Sequence, residues 1–326
     1  MVAALQVHSL VCRTLQVQHR EALHFRPVTG QRCRTPCKPV NVLAPPRPQQ
    51  MSVAHPLEQS VGRDAQALIT RETVQRLEAE LDNGESIQAL ARFNKLLQNL
   101  PADTWEARMR RVMGELAYNL ESFNPAFTAV LLKVQSTIGH SDYVARDMAL
   151  KNLIQPLAGE YGMHNGQAQG KTHRELFSEF YADLLRQPLE AALAADPRPA
   201  ASLRLFERMM ADIMSGSGAS DPVEQACYAM GYNLAIEYLA DYEKTWMLDS
   251  FRVLNERVLV PQQRGLSEWL FLEVHAEGEA EHAAIGHAVV VGFVPAECES
   301  TLRRAMLDHD RDFAVFYNRL ADMLEH

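Results

Sequence analysis

The chain has 326 residues, 47% hydrophobic and 22% charged, enough to bury one large core or two modest ones. Its net charge of −9 is uneven: residues 1 to 50 carry seven Lys or Arg against the single acid Glu21, a net of +6, which leaves −15 for the rest. An acidic body without a basic, aromatic-laced stripe argues against a nucleic-acid partner, and the longest apolar run, AIGHAVVVGFVP, falls short of the roughly 18 residues of a membrane span.

The leading segment contains RPVTGQRCRTPCKPVNVLAPPRPQQ and shows no helical period, so residues 1 to 50 are expected to be disordered. A basic, acid-poor leader suits an organelle transit peptide, and an over-long start is the simpler alternative, because regular helical sequence begins at Met51. Cys12, Cys33 and Cys37 lie in this segment without companion ligands. Cys227 and Cys298 read as isolated thiols of a reducing compartment, which places the protein in the cytoplasm.

From residue 51 onward the pattern is helical, and alternating runs of Val, Ile and Thr are missing. Helices are predicted over 70 to 82, 87 to 99, 104 to 120, 126 to 138, 141 to 160, 171 to 187, 200 to 215, 221 to 258, 265 to 292 and 297 to 324. Stops come from Asn83-Gly84, Pro101, GMHNGQAQG, Pro188, Pro197 and Pro199, SGSGASDP and Pro295. No fixed-period repeat is present. The expected fold is all-α, a single helical bundle over 51 to 326.

Three of these helices carry polar residues on apolar faces. In GKTHRELFSEFYADLL, His173 shares its face with Leu176, Phe177, Phe180 and Leu184. Just before it, Glu160 ends a helix, and the Gly-rich turn that follows can fold it back toward His173; His164 competes for the same role. In YAMGYNLAIEYLADYEKTW, Glu237 shares a face with Met230, Leu234 and Leu248. A buried carboxylate needs a partner, and Lys244 or an Arg of another helix is the simple one.

The third stretch, FLEVHAEGEAEHAAIGH, packs three histidines and four carboxylates into residues 271 to 287. His275, Glu279 and His282 fall within about 60° of one another on a helical wheel, while Glu273, Glu277 and Glu281 form a separate, water-facing stripe. Phe271, Leu272 and Val289 turn the His/Glu/His face inward, and Gly278 leaves space beside it. Each set by itself has an ordinary structural reading. Together, Glu160, His173, Glu237, His275, Glu279 and His282 supply three carboxylates and three imidazoles, a donor set suited to iron or manganese in a bundle core.

These stretches, E-Y-G with G-K-T-H-R-E-L-F, G-Y-N-L-A-I-E, and F-L-E-V-H-A-E-G-E-A-E-H, resemble the haem-oxygenase-like diiron oxidases and oxygenases over roughly residues 140 to 285. The resemblance implies a seven-helix haem-oxygenase-like bundle, two Fe(II) ions without haem, O2 as co-substrate and an external electron donor. It assigns Glu160 and His173 as first-helix ligands, Glu237 as the bridging or second-helix carboxylate, and His275, Glu279 and His282 as ligands of the last core helix. Where the family usually has aspartate, this chain has Glu279, and the interval from Glu160 to His173 is long, which keeps His164 in play. The substrate is expected to be a small amine or amino acid, with Asp241 as a spare carboxylate for an ammonium group, and the reaction an N-oxygenation or oxidative C–C cleavage. A homodimer is also expected.

Three other readings compete. A haem oxygenase needs a proximal histidine early in the bundle, where the chain has only His55. A thiaminase-like enzyme of the same architecture would use Cys227 as nucleophile. A non-catalytic helical interaction protein would keep the polar residues for structure alone.

Overall fold

The computed structural model describes residues 67–164, 167, 168 and 170–326, and leaves the side chains of His164, Gln167, Ala168 and Glu279 outside the description. The expectations for residues 1 to 50 fall outside it. In chain order the helices are α1 (Arg71–Leu81), α2 (Glu85–Gln98), α3 (Trp105–Gln135), α4 (Tyr143–Glu160), α5 (His173–Leu185), α6 (Leu189–Ala195), α7 (Ala200–Ser215), α8 (Pro222–Leu254), α9 (Leu270–Phe293) and α10 (Glu299–Glu325). The fold is an all-α bundle, and no described helix is long and apolar enough to cross a membrane.

Several boundaries differ from the sequence reading, each for a local reason. The helices expected at 104 to 120 and 126 to 138 are one, α3, which continues through Pro125. The proline removes one N–H from the ladder, but Ala126, Phe127, Ala129 and Val130 on the next turn are all buried, and that packing holds the helix together. The Gly-rich stretch after α4 is a two-residue antiparallel ladder, β1 (Met163–His164) with β2 (Gln167–Ala168), rather than a plain loop. The helix predicted from 265 begins instead at Leu270, because the amides of Ser267 and Glu268 donate to the Asp183 carboxylate and Leu266 donates to Asn255. The run 221 to 258 divides into α8 and a π-helical turn at Asn255–Leu259. Short α6 was not anticipated; its buried residue is Leu189 alone.

Helix starts use two kinds of cap. Thr70, Asp142, Thr172 and Asp221 cap their own helices, and Thr172 with Glu175 forms a reciprocal capping box on α5. At α2 and α7 the N-cap residue makes no side-chain bond, and carboxylates from other helices take the orphan amides: Asp310 of α10 accepts from Glu85 and Ser86, and Glu115 of α3 accepts from Ala201 and Ser202. These buried acids fix where one helix begins against the flank of another.

The buried side chains form one contiguous cluster with α8 at its centre, bearing on α2, α9 and α10. Gly231 marks a close approach: a Cβ there would lie 2.6 Å from the Leu302 carbonyl oxygen of α10.

His309 of α10 sits in this core, 1% exposed, packed against Tyr232 and Phe313, with neither ring nitrogen hydrogen-bonded. Burial lowers its pKa to about 3. A histidine whose folded value is depressed supports stability above its unfolded value and loses that support as pH falls. Stability is therefore expected to decline from pH 6.5 toward pH 3, with this residue costing about 2 kcal/mol at pH 5. In His309→Leu that share of the slope should vanish in denaturation curves recorded from pH 7 to 5; an unchanged difference between the two proteins across that range would refute the assignment.

Candidate metal centre

Glu160 ends α4, and the β1–β2 ladder brings the chain back so that His173 opens α5. Thr172, the N-cap, sets the direction in which His173 leaves the first turn. Glu160 Oε1 and His173 Nδ1 are 2.9 Å apart. From α9, His275 Nε2 stands 3.0 Å from that same His173 nitrogen, with the two rings 4.2 Å apart and tilted.

The orientation of His275 is decided by its own helix. Its Nδ1–H donates to the Phe271 carbonyl one turn back, at 2.5 Å, so the lone pair is on Nε2, facing His173. His275 is 4% exposed, and burial, followed by the charges of His173 and Lys244, pushes its pKa well below the usual histidine value. The ring is neutral. An imidazole fixed through one nitrogen by a backbone carbonyl, with the other nitrogen's lone pair turned inward, is the arrangement that precedes metal ligation.

Glu237 of α8 is 2% exposed. His282 Nδ1 of α9 lies 3.7 Å from its Oε2, and the two residues line one small chamber with Glu160 and His275. Glu279 lies on α9 between the two histidines, its side chain outside the description. A Cβ at neighbouring Gly278 would meet nothing within 4 Å. His164 is placed by its backbone in β1, with its side chain also outside the description. His287, in the same stretch of sequence, bonds Glu78 of α1 at 2.9 Å.

Neighbouring ligands held at right angles about 2.1 Å from one ion stand about 3.0 Å apart. The separations among Glu160, His173 and His275 thus suit both a hydrogen-bonded chain and two neighbouring ligands of one ion. Among the described residues, no three His, Cys, Asp or Glu side chains are grouped closely enough to hold an ion as they stand.

The chamber has about 40 Å3 of free space, room for a few waters. Leu120 and Phe123 of α3 line it and also wall a second, largely apolar chamber lined by Phe177, Phe180 and Phe271. Both chambers include a feature that the spacing rules did not single out. Glu243, 1% exposed, accepts from the Tyr317 hydroxyl of α10 and pairs with Lys244 at 3.0 Å. The cross-helix partner Tyr317, 74 residues away, leaves no local signal in the sequence.

Cys227 is fully buried near the start of α8, away from these residues and beside Cys298. Contact with the Cys298 sulfur, then burial, pushes its thiol far above the usual range, opposite to what a cysteine nucleophile requires.

No family profile and no curated protein matches the chain. Solved structures do. Two crystal structures of a CADD-like protein of unknown function from Nostoc punctiforme align at 16% identity with TM-score 0.55, over 77% of this chain and 96% of that one, and at 14% with TM-score 0.57, over 78% and 95%. A TenA homolog from Pseudomonas syringae pv. tomato aligns at 16% identity and TM-score 0.51, over 75% of this chain and 92% of that one. At these identities the likeness is one of helical fold, spanning nearly the full length of each relative.

Proposed function

We propose that this chain is a non-haem diiron oxidase or oxygenase that uses O2 to oxidise a small amine or amino acid, by N-oxygenation or oxidative C–C cleavage. The observation that carries the reading is the neutral His275, its Nδ1–H held by Phe271 and its Nε2 lone pair turned toward His173 and Glu160. Glu160, His173, Glu237, His275, Glu279 and His282 would hold the two irons, and a mixed carboxylate and imidazole set with open positions suits iron. When bound, the irons would supply the electrons for O2 activation, replenished by an external donor.

The chain's own residues would do the remaining work. Phe271 sets the tautomer of His275. Leu120 and Phe123 would give the chamber an apolar wall. Lys244, paired with Glu243, would stand at the chamber wall as a proton donor for the reduction of O2. The competing account treats Glu160, His173 and His275 as a structural hydrogen-bond chain in a non-catalytic helical protein.

Anaerobic titration of the metal-free full chain with Fe(II) separates the two. The expected result is saturation near two irons per chain, followed on rapid mixing with O2 by a transient visible absorption band. A chain that takes up no iron is the structural protein instead.

A further inference from the structure

A third cavity lies apart from both chambers, between α7 and α10, and holds about 380 Å3. The two helices run antiparallel there. Arg208 Nη2 is 3.5 Å from Asp312, whereas Ala201, two turns earlier on α7, donates to Glu115, one turn along α3 from Arg111, which reaches the Met323 carbonyl near the end of α10. The floor is apolar, made by buried Leu205 and Phe316, and Val315 on its wall is 67% exposed.

Its two ends carry opposite charge. At one, the Asp312 side chain is only 10% exposed and accepts a 3.0 Å bond from the Tyr232 hydroxyl, which aims the carboxyl from behind. Asp212 stands near it, its pKa raised by burial and then by the charge of Asp312, and burial raises Asp312 as well. Arg208 stands against Asp312, and Arg311, itself paired with Asp308, also acts on both carboxyls, so three acids face two guanidinium groups and an added cation is favourable. At the other end, seven residues or about 10 Å along α10, are Arg319 and Arg204. Among the described residues Arg204 forms no ion pair, and Arg319 has only an exposed contact of 3.7 Å with Asp322.

We infer that this trough binds a small dipolar molecule, its ammonium group on Asp312 and its carboxylate on Arg204 and Arg319, with roughly five apolar carbons between them lying over Leu205 and Phe316. A charged group at each end of an apolar floor selects for the separation of the ligand's charges and not for charge alone. The site shares no lining residue with the chamber between α8 and α9, and it stands or falls independently of iron.

The test is calorimetric titration of the metal-free full chain with 6-aminohexanoate, and with hexanoate and hexylamine, which each lack one charged end. Saturable binding of 6-aminohexanoate is expected, weaker by about tenfold or more for each truncated probe and by a similar factor in Arg204→Ala and in Asp312→Asn. Arg204 is exposed and unpaired, so its variant should keep the parent melting temperature; if Asp312→Asn disturbs folding by weakening the Tyr232 bond, Arg204→Ala decides alone. No saturable binding at millimolar concentration, or equal binding of hexylamine and 6-aminohexanoate, or an unaffected Arg204→Ala variant, overturns the inference.

Discussion

His275→Ala is expected to take up less than one Fe(II) per chain under conditions where the parent binds about two, with affinity at the remaining position reduced by about 100-fold or more. The basis is local. His275 presents an imidazole whose tautomer is locked by its own helix, and its Nε2 is within 3.0 Å of His173. Loss of partners that merely orient a ligand already lowers metal affinity 10 to 100-fold by rough rule, so loss of the ligand should exceed that. Because His275 is buried, its removal also leaves a cavity against Phe271. His173→Asn, at a side chain 16% exposed, tests the same centre with less disturbance to packing. If both variants keep two irons and melt like the parent, the centre lies elsewhere and the diiron reading fails.

Asp310→Ala should produce a large loss of stability. Asp310 is 4% exposed and accepts from the amide of Glu85 at 2.9 Å, the amide of Ser86 at 3.1 Å and the Ser86 hydroxyl. Truncation leaves two amides at the start of α2 without partners, that of Ser86 buried and that of Glu85 partly so, removes a negative charge from a helix N-terminus and opens space beside Gly84, where no Cβ would fit against the Asp310 carboxyl. The combined cost is about 3 to 5 kcal/mol, or a fall of roughly 10 °C in melting temperature for a body of this size. Asp310→Asn keeps one acceptor and should lose about half as much. Equal melting of Asp310→Ala and the parent would show that the cap is dispensable.

How much of this was legible in the sequence depended on whether the signal was local. The bundle was readable because helical periodicity is carried by residues three and four apart, and α1, α2, α4, α7 and α10 begin and end within a few residues of expectation. The join across Pro125 was not, since the proline's local cost is visible in sequence while the compensating burial of Phe127 and Val130 depends on helices far along the chain. The same distinction applies to caps. The Thr172 and Glu175 box can be read from spacing, but the acceptance of α2 by Asp310 joins residues 225 positions apart.

For the candidate centre, the sequence by itself determined the donor types and the helix faces on which His173, Glu237, His275 and His282 lie, because a side chain's direction around a helix follows from its position in the chain. It also determined the acidic body and the absence of a long apolar run. Only the tertiary structure decided which donors meet: that the β1–β2 ladder returns Glu160 to His173, that His287 goes to Glu78, and that the tautomer of His275 is set by the Phe271 carbonyl. It alone revealed Glu243 with Tyr317 and the charged trough between α7 and α10. Those features depend on distances between helices, and these are set by how the whole core packs, a property that no short window of sequence contains.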